Sequence, residues 1–183
     1  MSTTSDPATA LQSPAARYLQ QAGQRLEAAR ADLPRLIDMG EKLADTLLAG
    51  ESYHVAPIAR WWNAEYGGRA GGFMSFAHHW SVERAKDTDA VIFAMPRKLD
   101  EKARELLEKY VQSPAKLFAL ADDDSLAEAG IADRVTAATG GVDWSAGEYR
   151  WGDHDPLAVT WPLDQIARGW TMTGETVAAC LRN

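Results

Sequence analysis

The spacing of apolar residues near the start of the chain predicts two helices. Ser13 followed by Pro14 is a helix-start signal, because serine caps helices and proline fits their first turn. Apolar positions then recur at the spacing of one helix face, at Tyr18, Ala22, Leu26 and Ala29. A second helix follows Pro34 and ends at Gly50, since glycine readily takes the left-handed conformation found at helix ends. Its predicted apolar stripe is Leu33, Ile37, Ala44, Leu47 and Leu48.

Further along, short apolar runs alternate with helical patterns. The run Ala90 to Met95 is nearly continuously apolar, as expected of a strand buried on both faces. The predicted strands are Tyr53 to Ala56, Ala90 to Met95, Ala115 to Leu120 and Val135 to Ala138. The predicted helices between and after them are Ile58 to Tyr66, Leu99 to Val111, a short one after Asp124, and one from about Pro162 to Leu181.

Two predictions concern the last third of the chain. The final helix is expected to place Ile166, Trp170, Thr173 and Val177 on one face. The segment Gly140 to Pro156 is rich in Gly, Trp and Asp without a clear period, which favours a loop or lid.

This order of elements predicts an α/β fold, a three-layer α-β-α sandwich around a short parallel sheet. Ligands of open parallel sheets bind beyond the carboxyl ends of the strands. The sequence therefore directs attention to three loops, which are Ala56 to Arg60, Met95 to Asp100 and Ala121 to Ser125.

Composition narrows the class of protein. The 183 residues, 46% of them hydrophobic, suit a single domain, here predicted at 15–183 after a disordered lead-in at 1–14. The net charge of −7, without a long basic run, argues against nucleic acid as a partner. No apolar run approaches the ~20 residues that span a bilayer, and no secretory signal is recognisable. A single cysteine, Cys180, predicted to be buried, excludes an intramolecular disulfide and fits the reducing cytoplasm, the predicted location.

Several stretches resemble the sugar isomerase (SIS) domain family of phosphosugar-binding proteins. They are Leu47 to Gly50 before the strand at Tyr53, Asn63 to Arg69, Asp87 to Phe93, Leu99 to Val111 before Lys116 to Leu120, and Trp170 to Cys180. The likeness covers most of residues 15–181. It implies a flavodoxin-like or Rossmann-like sheet topology, binding of a phosphosugar or related carbohydrate derivative, and a homodimer or higher homo-oligomer.

The resemblance also implies candidate catalytic residues for aldose–ketose isomerisation, which needs a base beside a carbonyl. Glu65 lies within about a residue of the glutamate that isomerase members use, with Tyr66 as the alternative match. The alternative role for Glu65 is an ordinary surface glutamate beside Arg69, four residues on. Glu175 is a second candidate, because members bring a His or Glu from the C-terminal helix toward the site.

The two phosphate loops carry Pro, Arg and Lys where the family carries Gly and Ser. Small hydroxyls and bare amides normally cradle the phosphate, so cations would have to replace them here. The predicted ligand-binding residues are Arg60, Arg97, Lys98 and Asp100. The alternative is that Arg97 and Lys98 are solvated loop cations paired with Asp100 or Glu101.

Two functions therefore stay open. One is phosphosugar binding, with isomerisation as the reaction if the chain is an enzyme. The other is a non-catalytic oligomeric scaffold or regulatory module that keeps the fold and has lost the phosphate site. No cofactor or metal is predicted, because adjacent His78 and His79 point apart and Asp153-His154-Asp155 lacks a known ligand spacing.

Overall fold

The centre of the fold is a four-stranded parallel sheet made of short, mostly apolar strands. The strands are β1 (Tyr53–Val55), β2 (Ala90–Ala94), β3 (Lys116–Leu120) and β4 (Val135–Ala138), and they lie in chain order across the sheet. The computed structural model describes residues 14–59, 62, 66, 81–96, 99–121, 123–138, 149–150, 156–158 and 161–182. All four strands were predicted from the sequence within one residue at each end.

Five helices are described around the sheet. They are α1 (Pro14–Ala31), α2 (Leu33–Leu48), α3 (Glu101–Gln112), α4 (Asp123–Glu128) and α5 (Trp161–Arg182). Short 3₁₀ turns precede β2 at Val82–Arg84 and β4 at Ala132–Arg134. A separate antiparallel pair joins β5 (Tyr149–Arg150) to β6 (Pro156–Ala158).

Alternate side chains of the strands build two apolar cores, one on each face of the sheet. On one face, Ile92 and Phe118 pack with Leu36 and Met39 of α2 and Met172 of α5. On the other face, strand residues pack with α3 and α4, namely Val91, Phe93 and Leu117 with Leu107, Tyr110 and Leu126. Helices α2 and α5 make extensive contact with each other, and α1 packs on α5. The predicted α/β sandwich is confirmed at this level.

Local chemistry explains where the predicted helices begin and end. Proline at Pro14 stands first in α1, and Gly50 follows α2 with a φ of 74° that other residues rarely adopt. Helix α3 begins after Asp100, whose Oδ1 accepts the Ala103 N–H at 2.7 Å. Pro14 and Gly50 match the signals read from the sequence, whereas Asp100, predicted as a ligand-binding residue, is a helix cap.

The apolar stripes predicted for three helices are buried only in part: Ala44 of α2, Ala29 of α1 and Thr173 of α5 are buried, whereas other members of the stripes are exposed. In α2, Leu33 and Leu48 are 38% and 50% exposed, whereas Leu36, Met39 and Leu43 are buried. Apolar residues occupy more than one stripe of this helix, so periodicity alone did not identify the stripe that meets the sheet.

Helices α1 and α5 differ from prediction in the same way. Leu26 of α1 and Trp170 and Val177 of α5 are exposed, while Arg25 and Arg168 are buried. The buried arginines lie near buried carboxylates, an arrangement that hydrophobic periodicity does not register. Cys180, predicted to be buried, is partly exposed.

The segment predicted as a loop or lid, Gly140 to Pro156, contains one strand, Tyr149–Arg150, and the first residue of another, Pro156. The two strands pair antiparallel across a bulge at Tyr149/Arg150. Strands this short carry too few residues to show an alternating pattern. The remainder of that segment, the lead-in at 1–13 and most of the predicted helix Ile58 to Tyr66 lie outside the described residues.

Candidate functional site

A cavity opens at the carboxyl edge of the sheet, where β2 and β3 end. It has a volume of about 120 Å³ and lies between the segment after β2 and helices α3 and α4. Its lining residues are Met95, Pro96, Leu99, Arg104, Ser125, Glu128 and Ala129. Two of the three loops selected from the sequence, 95–100 and 121–125, thus contribute to one cavity.

Two opposite charges line this carboxyl-edge cavity. Arg104 lies four residues after the cap of α3, and Glu128 is the last residue of α4. Both residues are exposed, and neither forms an ion pair with any residue that the structure describes. The cavity therefore offers a guanidinium and a carboxylate that are both available to a bound molecule.

Helix α5 closes the same edge on the opposite face of the sheet. Gln165 is 2% exposed, and its Nε2 donates to the carbonyl oxygens of Met95 at 3.0 Å and Leu120 at 3.3 Å. These are carbonyls at the carboxyl ends of β2 and β3, so one amide joins two strand ends to α5. Met95 also lines the cavity, and the two features meet at this residue.

A buried ion network follows Gln165 by one helical turn. Arg168, 2% exposed, donates from Nε to Asp164 Oδ1 at 2.8 Å and from Nη1 to the Asp32 carboxylate. Burial raises the pKa of Asp164, and the nearby Arg168 and Arg25 only partly offset that effect. The network ties the start of α2 to the first turns of α5.

Two polar atoms of this region have no hydrogen-bond partner within the described part of the chain. They are Oε1 of Gln165 and Nη2 of Arg168. A buried polar atom left unpaired costs about 1–3 kcal/mol, so most buried groups in proteins are paired. The two atoms therefore point to a bound molecule, water or a ligand, at this place.

Aromatic side chains pack beside the network on α5. Trp62 stacks on Tyr66 with ring centroids 4.5 Å apart, and the Trp62 Nε1–H donates to the Gln165 carbonyl oxygen at 3.3 Å. Gly169 permits this approach, because an added Cβ would be 3.1 Å from the Tyr66 ring. The Tyr66 hydroxyl contacts those of Tyr53 and Thr173. Burial raises the pKa of Tyr66, which keeps its hydroxyl protonated.

The structure describes only some of the residues that were predicted to form the site. Arg60, Glu65, Arg97 and Lys98 lie outside the described residues. Asp100 is the cap of α3, directly beside cavity residue Leu99. Glu175 lies ten residues beyond Gln165, about 15 Å along the helix axis, and packs against α2 at Gly40. The structure therefore brings Asp100 near the cavity and places Glu175 in a helix–helix contact.

The described residues hold neither a cluster of metal-ligating side chains nor a helix that could span a membrane. Across the described ranges, no three His, Cys, Asp or Glu side chains come together as a metal site. His78, His79 and the sequence Asp153-His154-Asp155 lie outside those ranges. Of the helices that the structure describes, none combines the length and apolar character needed to cross a bilayer.

Comparison with known proteins identifies no relative. The chain matches no protein-family model, no curated protein and no solved structure. The resemblance to the SIS family stays a prediction, and function has to be argued from the carboxyl edge itself.

Sequence reasoning missed Arg104, Glu128, Gln165 and Arg168. A signal for Arg104 was present, because a helix that follows a parallel strand begins at the carboxyl edge and its first turns belong to the site. Gln165 and Arg168 carried no such signal. Polar residues near a helix start are ordinarily solvated, and only the packing of α1, α2 and α5 buries them.

Proposed function

We propose that this chain binds a small hydroxylated anion, of which a sugar phosphate is the prototype, at the carboxyl edge of its sheet. The proposal depends chiefly on one observation: Arg104 and Glu128 line the same cavity without an ion-pair partner in the described chain. A guanidinium binds phosphate through paired N–H donors. A carboxylate accepts charge-assisted hydrogen bonds from sugar hydroxyls.

The size of the cavity supports binding of a phosphate-sized group there. Its volume of about 120 Å³ equals roughly four waters at ~30 Å³ each. Complete small-molecule pockets usually measure about 300–1,000 Å³. The sugar would accordingly extend beyond this cavity.

The fold and reaction that go with this proposal are those of an SIS-like domain. A parallel α/β sheet with its ligand at the strand ends is compatible with that assignment. The reaction would be aldose–ketose isomerisation, with Glu65 as the base that moves a proton beside the carbonyl. A cytoplasmic location suits a phosphorylated metabolite and the single cysteine.

Thermal-shift and calorimetric titrations with fructose 6-phosphate, glucose 6-phosphate and inorganic phosphate test the proposal. A ligand at about 100 times its Kd stabilises a protein by ~2.7 kcal/mol. Arg104→Gln should weaken binding of the sugar phosphates at least tenfold. The matched control Arg30→Gln, an exposed arginine on α1, should leave binding unchanged. A flat response to all three compounds, or equal affinities for the two variants, would contradict the proposal.

A second candidate function is a non-catalytic oligomeric module. Its support is a set of large apolar side chains left exposed on α1 and α5, two helices that pack together. The set is Leu19, Leu26, Trp170, Val177 and Leu181, which are 69%, 49%, 39%, 44% and 83% exposed. A contiguous patch of exposed apolar side chains is typical of association surfaces. A homodimer through these helices is compatible with ligand binding at the sheet edge.

A further inference from the structure

Two buried atoms of opposite hydrogen-bonding character lie one turn apart on α5. Gln165 Oε1 is an acceptor and Arg168 Nη2 is a donor, and neither has a partner among the described residues. Their side chains are each 2% exposed. Residues three apart lie on the same side of a helix, with Cβ atoms about 5–6 Å from each other. Both atoms therefore belong to residues on the same side of α5.

The surrounding contacts fix both side chains in place. The Gln165 amide nitrogen is held by the carbonyl oxygens of Met95 and Leu120, which orients Oε1 without occupying it. The Arg168 guanidinium is held by Asp164 through Nε and by Asp32 through Nη1. Its Nη2 is left without a hydrogen-bond partner among the described residues. Both unpartnered atoms are thus presented by rigid groups, as in a preformed binding site.

The charge balance of the network selects the chemistry of the ligand. Two carboxylates, those of Asp32 and Asp164, already neutralise Arg168, so a further anion gains little attraction here. The amide oxygen of Gln165 requires a donor, which the dianion of a phosphate monoester lacks. A hydroxyl group is uncharged, accepts from an N–H and donates its own proton.

We infer that the first turns of α5 form a subsite for the hydroxyl groups of a polyhydroxylated small molecule. One hydroxyl oxygen accepts from Arg168 Nη2, and a hydroxyl of the same molecule donates to Gln165 Oε1. Met95 connects this hydroxyl subsite to the carboxyl-edge cavity, because its carbonyl is held by Gln165 and its side chain lines the cavity. The inference rests on the proposed function only for the phosphorylated end of the ligand, since a neutral polyol suffices to test it.

The test is a titration of the full chain followed by nitrogen-15 NMR of the Gln165 side-chain amide and the Arg168 guanidinium. The probes are sorbitol and glucose, which carry only hydroxyls, and sulfate, which carries only the anion. Sorbitol or glucose should produce saturable shifts of both signals. Shifts with sulfate alone, or none with any probe because water fills the site, would overturn the inference.

Variants separate this subsite from the rest of the molecule. Arg168→Lys keeps a cation between Asp32 and Asp164 and removes Nη2, so the affinity for the polyol should fall at least fivefold. Arg182→Lys, an exposed arginine of the same helix paired with Glu41 at 3.3 Å, should leave it unchanged. If Arg168→Lys does not fold, the titration of the unmodified chain still decides.

The failure of this inference and the failure of the proposed function are distinguishable. Arg104→Gln should weaken the response to fructose 6-phosphate at the cavity at least tenfold and preserve the response to sorbitol at Gln165. Binding of the sugar phosphate with no shift at Gln165 and Arg168 would remove the hydroxyl subsite and leave the proposed function standing. Binding of sorbitol without binding of the sugar phosphate would remove the proposed function and leave the hydroxyl subsite standing.

Discussion

Gly40 of α2 and Glu175 of α5 lie so close that a Cβ on Gly40 would be 2.7 Å from the Glu175 Cβ. The same Cβ would be 2.9 Å from the carbonyl oxygen of Met172. Only glycine allows the two helices to approach this closely. Glu175, which the sequence suggested as a catalytic residue, thus lies in a close contact between α2 and α5.

Gly40→Ala should destabilise the protein by about 1–3 kcal/mol, the usual cost of forcing extra volume into a packed interface. Backbone atoms form part of the obstruction, so side-chain rotation cannot relieve it. The matched control is Gly174→Ala on the exposed side of α5, where an added Cβ meets nothing within 4 Å. That control should stabilise by about 0.5–1 kcal/mol, since alanine favours a helix. Urea unfolding measures both values, and equal effects would contradict the close contact.

Asp32→Asn should destabilise the protein strongly, because it removes the negative charge that pairs with the buried Arg168 guanidinium. Breaking a buried ion pair from one side costs about 3–5 kcal/mol. We expect the lower part of that range, because the Asp32 side chain is 13% exposed. Asp38→Asn breaks an exposed pair with Lys42 in the same helix and should cost at most about 1 kcal/mol. Similar costs for the two variants, measured by urea unfolding, would show that the Arg168 network contributes little to stability.

His54 should make the protein less stable as the pH falls from about 6.5 to about 4. Burial lowers the pKa of His54 to about 4 from its usual 6.5. Between those values the unfolded chain binds a proton that the folded chain does not, so acid favours unfolding. His54→Gln, which cannot titrate but can still bond the Tyr110 hydroxyl, should remove this part of the slope of Tm against pH.

Tyr110→Phe is the control for this prediction. It removes the hydroxyl group that lies 3.0 Å from His54 Nε2 and leaves His54 itself unchanged in β1. Because burial, and not the hydrogen bond, lowers the pKa of His54, the slope should persist in this variant. A slope that survives in His54→Gln would assign the acid sensitivity to other groups.

The exposed apolar residues of α1 and α5 predict self-association. Wild-type protein should run as a dimer or larger species in light scattering at micromolar concentration. Val177→Glu should shift it to monomer, because a buried unpaired charge at an interface is costly. Leu48→Glu, a 50% exposed position at the end of α2, is the control and should keep the wild-type mass. A monomeric wild type at that concentration would count against the oligomeric module.

The sequence predicted elements well and buried faces poorly. Strands such as β2, and helix ends such as Gly50 and Asp100, depend on local composition and turn chemistry. Which side of a helix becomes buried depends on the other elements that pack against it in the folded protein. The α2–α5 contact includes Gly40 and buried threonines of α5 beside large apolar residues such as Leu36 and Met172. A search for apolar stripes does not register those small and polar positions.

The sequence predicted where the candidate site lies in the fold, but not the side chains that form it. Parallel topology directed attention to the loops at 95–100 and 121–125, and the cavity lies there. Gln165 joined that edge from a helix more than 40 positions later in the chain, through hydrogen bonds to Met95 and Leu120. No spacing rule connects residues so distant in sequence.

The strand order has a consequence for how the chain folds during synthesis. Each new strand is added beside the previous one, so the sheet and its α3–α4 side can assemble while translation continues. The other side has to wait for α5, whose Met172 completes the core of Leu36 and Met39. Until those 22 residues leave the ribosome, α2 covers an unfinished apolar surface. This interval is when a nascent chain of this design would most need a chaperone.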